Sequence, residues 1–124
     1  MLTTGVDLVD IKRIERVLSR FGEKFLARVY TPDEIRYSRG RPAELAARFA
    51  AKEAAAKALG VGMRILSPAG VAWRDVETLN EMSGKPYLIL HGHARALAEA
   101  QGLTEWAISL SHDRDIAIAF VVAM

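Results

Sequence analysis

Hydrophobic spacing divides the chain into a mainly helical first half and a mainly β second half. Residues 5–9 alternate and predict a short strand, with Val6 and Leu8 on one face and Asp7 on the other. Asp10 is placed to cap the next helix, and Gly22 to end it. The apolar positions of this helix recur at helical spacing: Ile11, Ile14, Val17, Leu18 and Phe21.

Three more helices follow in the first half. Residues 23–30 predict one or two helical turns. Thr31-Pro32-Asp33-Glu34 combines a cap, a proline at the first helical position and a capping box, which predicts a helix towards Ser38. After the break at 39–42, a long helix is expected over about 43–59, with Gly60 as its terminator.

The second half predicts paired strands. Residues 71–78 and 86–90 flank a turn at 82–85 and indicate a hairpin, and 92–100 predicts a short helix. Two alternating segments then flank a polar tight turn at 111–115: Trp106, Ile108, Leu110 and Ile118, Phe120, Val122. The predicted class is α+β, an antiparallel sheet with a long buried helix.

Composition limits the possible functions. The 124 residues suit one domain, spanning 1–124, and the absence of cysteine excludes disulfide scaffolds, thiolate metal sites and cysteine nucleophiles. No apolar run approaches a membrane span and the N-terminus lacks signal-peptide features, so a soluble, cytoplasmic protein is expected. A net charge of +2 is too weak to indicate nucleic-acid binding, but residues 1–62 hold 12 basic and 8 acidic side chains. An anionic partner is therefore expected on the first half.

The long helix carries charges where apolar residues are expected. Lys52 falls inside its hydrophobic stripe and Arg48 lies at the edge, while alanines cover most of the opposite side. Because a helix that is apolar or small on nearly all sides is usually buried, these charges must be paired, line a cavity or reach a subunit interface. The alternative is a solvated helix, with Glu53 and Lys57 as an i, i+4 pair and the longer stems extending to water.

Asp7 and Glu53 are candidate metal ligands. Mg²⁺ typically takes one or two carboxylates and completes its coordination with water and substrate phosphates. Neighbouring Lys and Arg side chains bind the remaining phosphate oxygens. Together these residues are suited to pyrophosphate chemistry, although Asp7 also fits an ordinary turn-capping role.

The histidines leave several interpretations open. His112 follows Ser111 at a strand end, and adjacent strand residues point to opposite faces, so a Ser–His nucleophile pair is disfavoured. Turn stabilisation and phosphate contact remain for His112. His91 and His93 flank a helix start and are expected at the surface.

The motifs together resemble the 4′-phosphopantetheinyl transferases, and in particular their small holo-acyl-carrier-protein synthase branch. The matching segments cover nearly the whole chain in order: Gly5-Val6-Asp7, Arg48-Phe49-Ala50-Ala51-Lys52-Glu53-Ala54-Ala55-Ala56-Lys57, Ser83-Gly84-Lys85-Pro86 and Ser109-Leu110-Ser111-His112-Asp113. The resemblance implies transfer of phosphopantetheine from coenzyme A to a serine of apo-acyl carrier protein, in support of fatty acid synthesis. Adenosine 3′,5′-bisphosphate is the other product. It also implies a homotrimer with sites between subunits.

The resemblance also assigns roles to residues. Asp7 and Glu53 are expected to hold Mg²⁺ against the pyrophosphate, and Lys57 to contact it and stabilise the leaving group. Either Glu53 or a metal-bound water serves as general base. Further coenzyme A contacts are expected from Arg48, Lys52, Gly60, Lys85, Pro86, Ser111 and His112, with pairing to a carboxylate as the alternative for Lys52.

Docking of the acidic carrier is expected on the basic first helices. Arg13, Arg16, Arg20, Lys24 and Arg28 would steer it, with Phe25 as an apolar anchor. The competing hypothesis is a non-catalytic module that binds RNA or an acidic protein. RNA binding would be favoured by aromatic side chains that stack on bases, but only two aromatic residues accompany these charges. The segment 63–70 is longer than is usual in the family, which affects the expected rim of the nucleotide site.

Overall fold

The computed structural model describes residues 1–63 and 70–124. The elements are β1 (Thr3–Asp10), α1 (Ile11–Phe21), α2 (Glu23–Val29), α3 (Pro32–Ser38), α4 (Pro42–Ala58), β2 (Val76–Asn80), β3 (Pro86–Leu90), α5 (Gly92–Ala100), β4 (Trp106–His112) and β5 (Ile116–Ala123), with a 3-10 turn at Trp73–Asp75 before β2. No helix among the described residues is long and apolar enough to cross a membrane.

Two antiparallel sheets define the class as α+β. The larger has the order β1-β5-β4, and β2 and β3 form a separate hairpin. The register pairs Val6 with Phe120 and Leu8 with Ile118, so these side chains share one face of the sheet.

Helix α4 packs across the opposite face of this sheet. Gly5 allows the close approach, because a Cβ atom built there would lie 1.9 Å from the carbonyl oxygen of Ala54. Thr3 also donates a hydrogen bond to the carbonyl of Ala58 at 2.8 Å. The contact turns Gly5, Asp7 and Val9 towards the helix, which places Asp7 beside it.

Helix α4 is buried on most sides, as its composition predicts. Most of its 17 residues are buried, including Arg48 and Lys52. Its alanines let the sheet, α1 and the β2–β3 hairpin pack closely around it. The solvated-helix alternative is therefore wrong for these two charges.

Local signals at helix ends are confirmed. Asp10 accepts a hydrogen bond from the backbone of Lys12, and Thr31 and Glu34 form the predicted capping box. Gly60 ends α4 with φ 78°, and the amide of Val61 returns to the carbonyl of Ala56 at 3.1 Å.

Two expectations about strands are corrected, and the exposure of one face of β1 is a new observation. The strand predicted from 71 begins at Val76, because residues 73–75 form the 3-10 turn. The last turn is shorter than 111–115, because β4 continues to His112. The apolar face of β1 is exposed in this chain, with Val6 at 46% and Leu8 at 63%. The long segment at 63–70 falls mainly on 64–69, outside the described residues.

Candidate active site

Two carboxylates meet where β1 crosses α4. Asp7 lies on the helix-facing side of β1, with its side chain 16% exposed, and Glu53 lies in the middle of α4. Burial raises the pKa of Glu53 above its usual value, and the negative charge of Asp7 adds to this increase. The two acids therefore interact electrostatically, as expected for residues that share a cation.

Lys57 lies beside these two carboxylates and forms an ion pair with one of them. Its Nζ contacts Asp7 Oδ1 at 3.0 Å and the carbonyl oxygen of Val6 at 2.9 Å, while its side chain stays 54% exposed. The ion pair that Lys57 forms is thus with the strand, and not the i, i+4 pair with Glu53 that belonged to the solvated-helix alternative. Gly60 lies one turn beyond Lys57, at the C-terminal end of α4.

A cavity of about 390 Å³ opens beside Glu53 and Lys57. Arg13 also lines it, and the positive charges of Lys57 and Arg13 partly offset the increase in the Glu53 pKa. The rest of its lining is mainly apolar and includes Phe49 and Trp73, whose ring centroids are 4.7 Å apart. The cavity can therefore hold an anionic group at one end and an apolar chain beside it.

Sequence reasoning missed part of this cavity. The sequence predicts only a carrier-docking role for Arg13, and it does not indicate the contact between Phe49 and Trp73. One signal was available for Arg13: it lies in the first turn of the helix that directly follows the strand bearing Asp7. Trp73 lies far along the chain, and no pattern connects it to α4.

The metal assignment fits the chemistry of the donors. No group of three or more His, Cys, Asp or Glu side chains within 1–63 and 70–124 is arranged to hold a metal ion. Asp7 and Glu53 supply two carboxylates, which suits Mg²⁺ held jointly by protein, water and phosphate. A cation between them would offset both the burial of the Glu53 carboxylate, which is the main cause of its raised pKa, and the repulsion from Asp7, which adds to it.

A second cavity, of about 230 Å³, gathers other expected binding residues. Arg48, Pro86 and His112 line it, together with Gly84 and Asn80. The first cavity and this one share no lining residue. The single chain therefore divides the predicted coenzyme A contacts into two groups.

Ser111 and Lys85 lie near the second cavity without lining it. Ser111 precedes His112 in β4, so its side chain points to the opposite face of the sheet, as the sequence predicted. Lys85 is exposed in the hairpin turn, where its carbonyl accepts a hydrogen bond from the amide of Glu81 at 2.9 Å.

Lys52 is corrected from a coenzyme A contact to a buried structural residue. It has no exposed surface, and its Nζ bonds Glu34 at 2.8 Å and the carbonyls of Trp73 at 3.0 Å and Val76 at 2.6 Å. Burial lowers its pKa, and the attraction of Glu34 opposes that effect. The three donors of the ammonium group are used, so the carboxylate alternative is the one observed.

The expected docking residues lie on α1 and α2. A shallow groove on α1 is lined by Arg16 and Arg20 together with Lys12, Glu15 and Ser19. Phe25 is partly buried and packs edge-on against Tyr30, with ring centroids 5.6 Å apart, so its ring contributes to the core. The remaining basic residues of the set are exposed: Arg13, Lys24 and Arg28.

Comparisons with known proteins show full-length similarity. The model of the 4′-phosphopantetheinyl transferase superfamily matches residues 3–121. A holo-[acyl-carrier-protein] synthase of Herpetosiphon aurantiacus is 54% identical over 126 residues, covering 100% of this chain and 99% of that protein. Another from Koribacter versatilis is 44% identical and covers 98% of this chain and 97% of its own length.

Solved structures agree with the sequence matches. The Helicobacter pylori holo-[acyl-carrier-protein] synthase in complex with coenzyme A superposes with a TM-score of 0.86 at 32% identity, covering 98% of this chain and 99% of that one. The ACPS–CoA complex of Chronobacterium ammoniagenes has a TM-score of 0.84 at 35% identity, with 100% and 97% covered. Sequence and fold thus both match holo-[acyl-carrier-protein] synthases over nearly the whole chain.

Proposed function

The chain belongs to the 4′-phosphopantetheinyl transferase superfamily, and from this premise we propose how its residues support the reaction. It transfers 4′-phosphopantetheine from coenzyme A to a serine of apo-acyl carrier protein, giving holo-acyl carrier protein and adenosine 3′,5′-bisphosphate. The observation that carries the assignment of the site is the pair of interacting carboxylates, Asp7 and Glu53, beside Lys57.

Asp7 and Glu53 would hold Mg²⁺ against the pyrophosphate of coenzyme A. The ion, when bound, neutralises phosphate charge and polarises the reacting phosphorus. Lys57 is half-exposed at the cavity edge, where its ammonium group can bind a phosphate oxygen and stabilise the leaving nucleotide. The attacking serine belongs to the carrier, so this chain needs no nucleophile of its own.

A second copy of the chain would bring the first cavity of one subunit next to the second cavity of another. Arg48 and Glu53 are five residues apart on α4, so they point roughly 140° apart around the helix. The outer face of the sheet is exposed and apolar at Val6, Leu8 and Phe120, which is unfavourable unless covered. We propose a homotrimer in which this face is buried and each site combines the first cavity of one subunit with the second cavity of its neighbour.

The carrier is proposed to dock on the exposed basic side chains of α1 and α2. Arg16 and Arg20 line the same groove, and an acidic partner would be steered there by charge. This surface adjoins the first cavity, since Arg13 on α1 lines it. A cytoplasmic location remains a prediction.

The metal assignment is tested with Asp7→Asn and Glu53→Gln. Both should lose at least about a hundredfold in kcat/KM while keeping the fold, because each removes a charge that holds the cation. Glu81→Gln, an exposed change on the hairpin, serves as the matched control and should retain activity. Near-normal turnover by either site variant would contradict the assignment.

The shared site is tested by subunit complementation. Glu53→Gln and His112→Ala affect different cavities and are coexpressed, with activity measured below saturating coenzyme A. If the two variants assemble at random and each site takes Glu53 from one subunit and His112 from its neighbour, about a quarter of the sites regain both native side chains. Activity no higher than the average of the two variants would show that each site lies within one subunit.

A further inference from the structure

Arg48 is a buried guanidinium held from several sides. Its Nη1 donates to Glu44 Oε2 at 2.9 Å, and the ring of Tyr37 lies 4.5 Å from its Cζ. Its Nη2 donates to Asn80 Oδ1. The buried Nε has no hydrogen-bond partner among the described residues, and Arg48 lines the second cavity.

Asn80 links this guanidinium to the β2–β3 turn. Its Nδ2 donates to the carbonyl of Gly84 at 2.9 Å, while its Oδ1 accepts from Arg48. The orientation of the amide is fixed by chemistry, because a guanidinium only donates and a carbonyl only accepts. The Asn80 side chain therefore sets the position of Arg48 relative to the β2–β3 turn at Gly84.

Asn80 also lies opposite Pro86 in the register of the β2–β3 ladder, so its side chain is next to the first residue of β3. Arg48, Asn80, Gly84 and Pro86 all line the second cavity. Loss of the Asn80 amide would leave Arg48 with Glu44 and Tyr37, so its charge stays in place while its direction is no longer fixed.

We propose that Asn80 is a positioning residue for coenzyme A binding. Its amide orients the Arg48 guanidinium towards the second cavity and holds it in a fixed position relative to the β2–β3 turn. This inference rests on the proposed role of Arg48 and that cavity in coenzyme A binding. Asn80 acts through Arg48, and the carboxylates lie in the other cavity. Its removal therefore affects binding of coenzyme A and leaves the chemical step intact.

The experiment measures steady-state kinetics of Asn80→Ala with coenzyme A and apo-acyl carrier protein. The KM for coenzyme A should rise about tenfold, the effect expected for losing one hydrogen bond to a charged group. The kcat and the KM for the carrier should change less than threefold. Met82→Ala, at the exposed tip of the same hairpin, is the control and should behave as the parent protein.

A double-mutant cycle with Arg48→Gln separates the possible outcomes. If Asn80 acts through Arg48, the effect of Asn80→Ala on KM is largely lost in the Arg48→Gln background. Equal effects in both backgrounds, or a general loss in kcat and carrier binding, would overturn the proposal. An unchanged KM in Arg48→Gln itself would instead refute the role of Arg48 in the proposed function. Arg48→Lys replaces Arg48→Gln in the cycle if the latter does not fold.

Discussion

Lys52→Met tests the conclusion that Lys52 is structural. The Lys52–Glu34 pair is completely buried, with both side chains at 0% exposure and Nζ 2.8 Å from Glu34 Oε1. Methionine keeps the length and apolar stem of lysine but leaves the Glu34 carboxylate without its cation. Breaking a buried pair by removing one partner costs about 3–5 kcal/mol.

The surroundings of the pair support the upper part of that range. Glu34 keeps only the backbone amides of Thr31 and Thr78, each at 2.9 Å. The carbonyls of Trp73 and Val76 lose their donor as well. Since a domain of this size has roughly 5–15 kcal/mol of stability, the variant should be close to unfolding at 37 °C.

The assay is urea denaturation followed by circular dichroism, at one fixed protein concentration because assembly affects stability. The double variant Lys52→Met/Glu34→Gln removes the unpaired charge and should recover part of the loss. At a temperature where the single variant is folded, its KM for coenzyme A should match the parent protein. A stability loss below about 1 kcal/mol together with a tenfold rise in that KM would refute the reasoning.

Two further predictions concern stability. Gly5→Ala should destabilise the protein by about 3 kcal/mol or more, because its Cβ would lie 1.9 Å from the carbonyl oxygen of Ala54. Gly62→Ala is the control, because a Cβ atom there meets nothing within 4 Å. Thermal unfolding of both variants checks the prediction. Because the pKa of Glu53 is raised on folding, the folded metal-free protein loses stability as pH rises from the unfolded-state pKa through the higher folded-state value. Glu53→Gln should therefore raise the neutral-pH Tm without metal while abolishing activity, with the gain shrinking in acid. A Tm no higher than that of the parent would contradict it.

Most of the fold could be predicted from local patterns. Helix limits follow from caps that act within a few residues, such as Asp10, Thr31 and Gly60, and these were confirmed. The exposure of Val6 and Leu8 could not be predicted, because alternation shows that two faces differ without showing which one packs on α4. Gly5 decides that question, through a helix contact that no local pattern reveals.

Site residues that belong to a sequence motif could be predicted, whereas the partners of buried side chains, which depend on packing between distant segments, could not. The neighbouring placement of Asp7 and Glu53 agrees with the two-part motif. The role of Lys52 depends on Glu34, for which the sequence predicts only a place in a capping box. A side chain with both roles joins two helices in space, and spacing along the chain cannot show this. The partners of Arg48 were hidden for the same reason, since Asn80 lies on a distant hairpin.

We propose a metal-assisted phosphopantetheinyl transfer at Asp7, Glu53 and Lys57. Its most direct test is intact-mass spectrometry of apo-acyl carrier protein after incubation with this protein, coenzyme A and Mg²⁺, with a parallel EDTA sample. The expected result is a gain of one phosphopantetheine that is absent with EDTA and absent with Asp7→Asn. Equal modification in EDTA, or by the Asp7→Asn protein, would contradict the account.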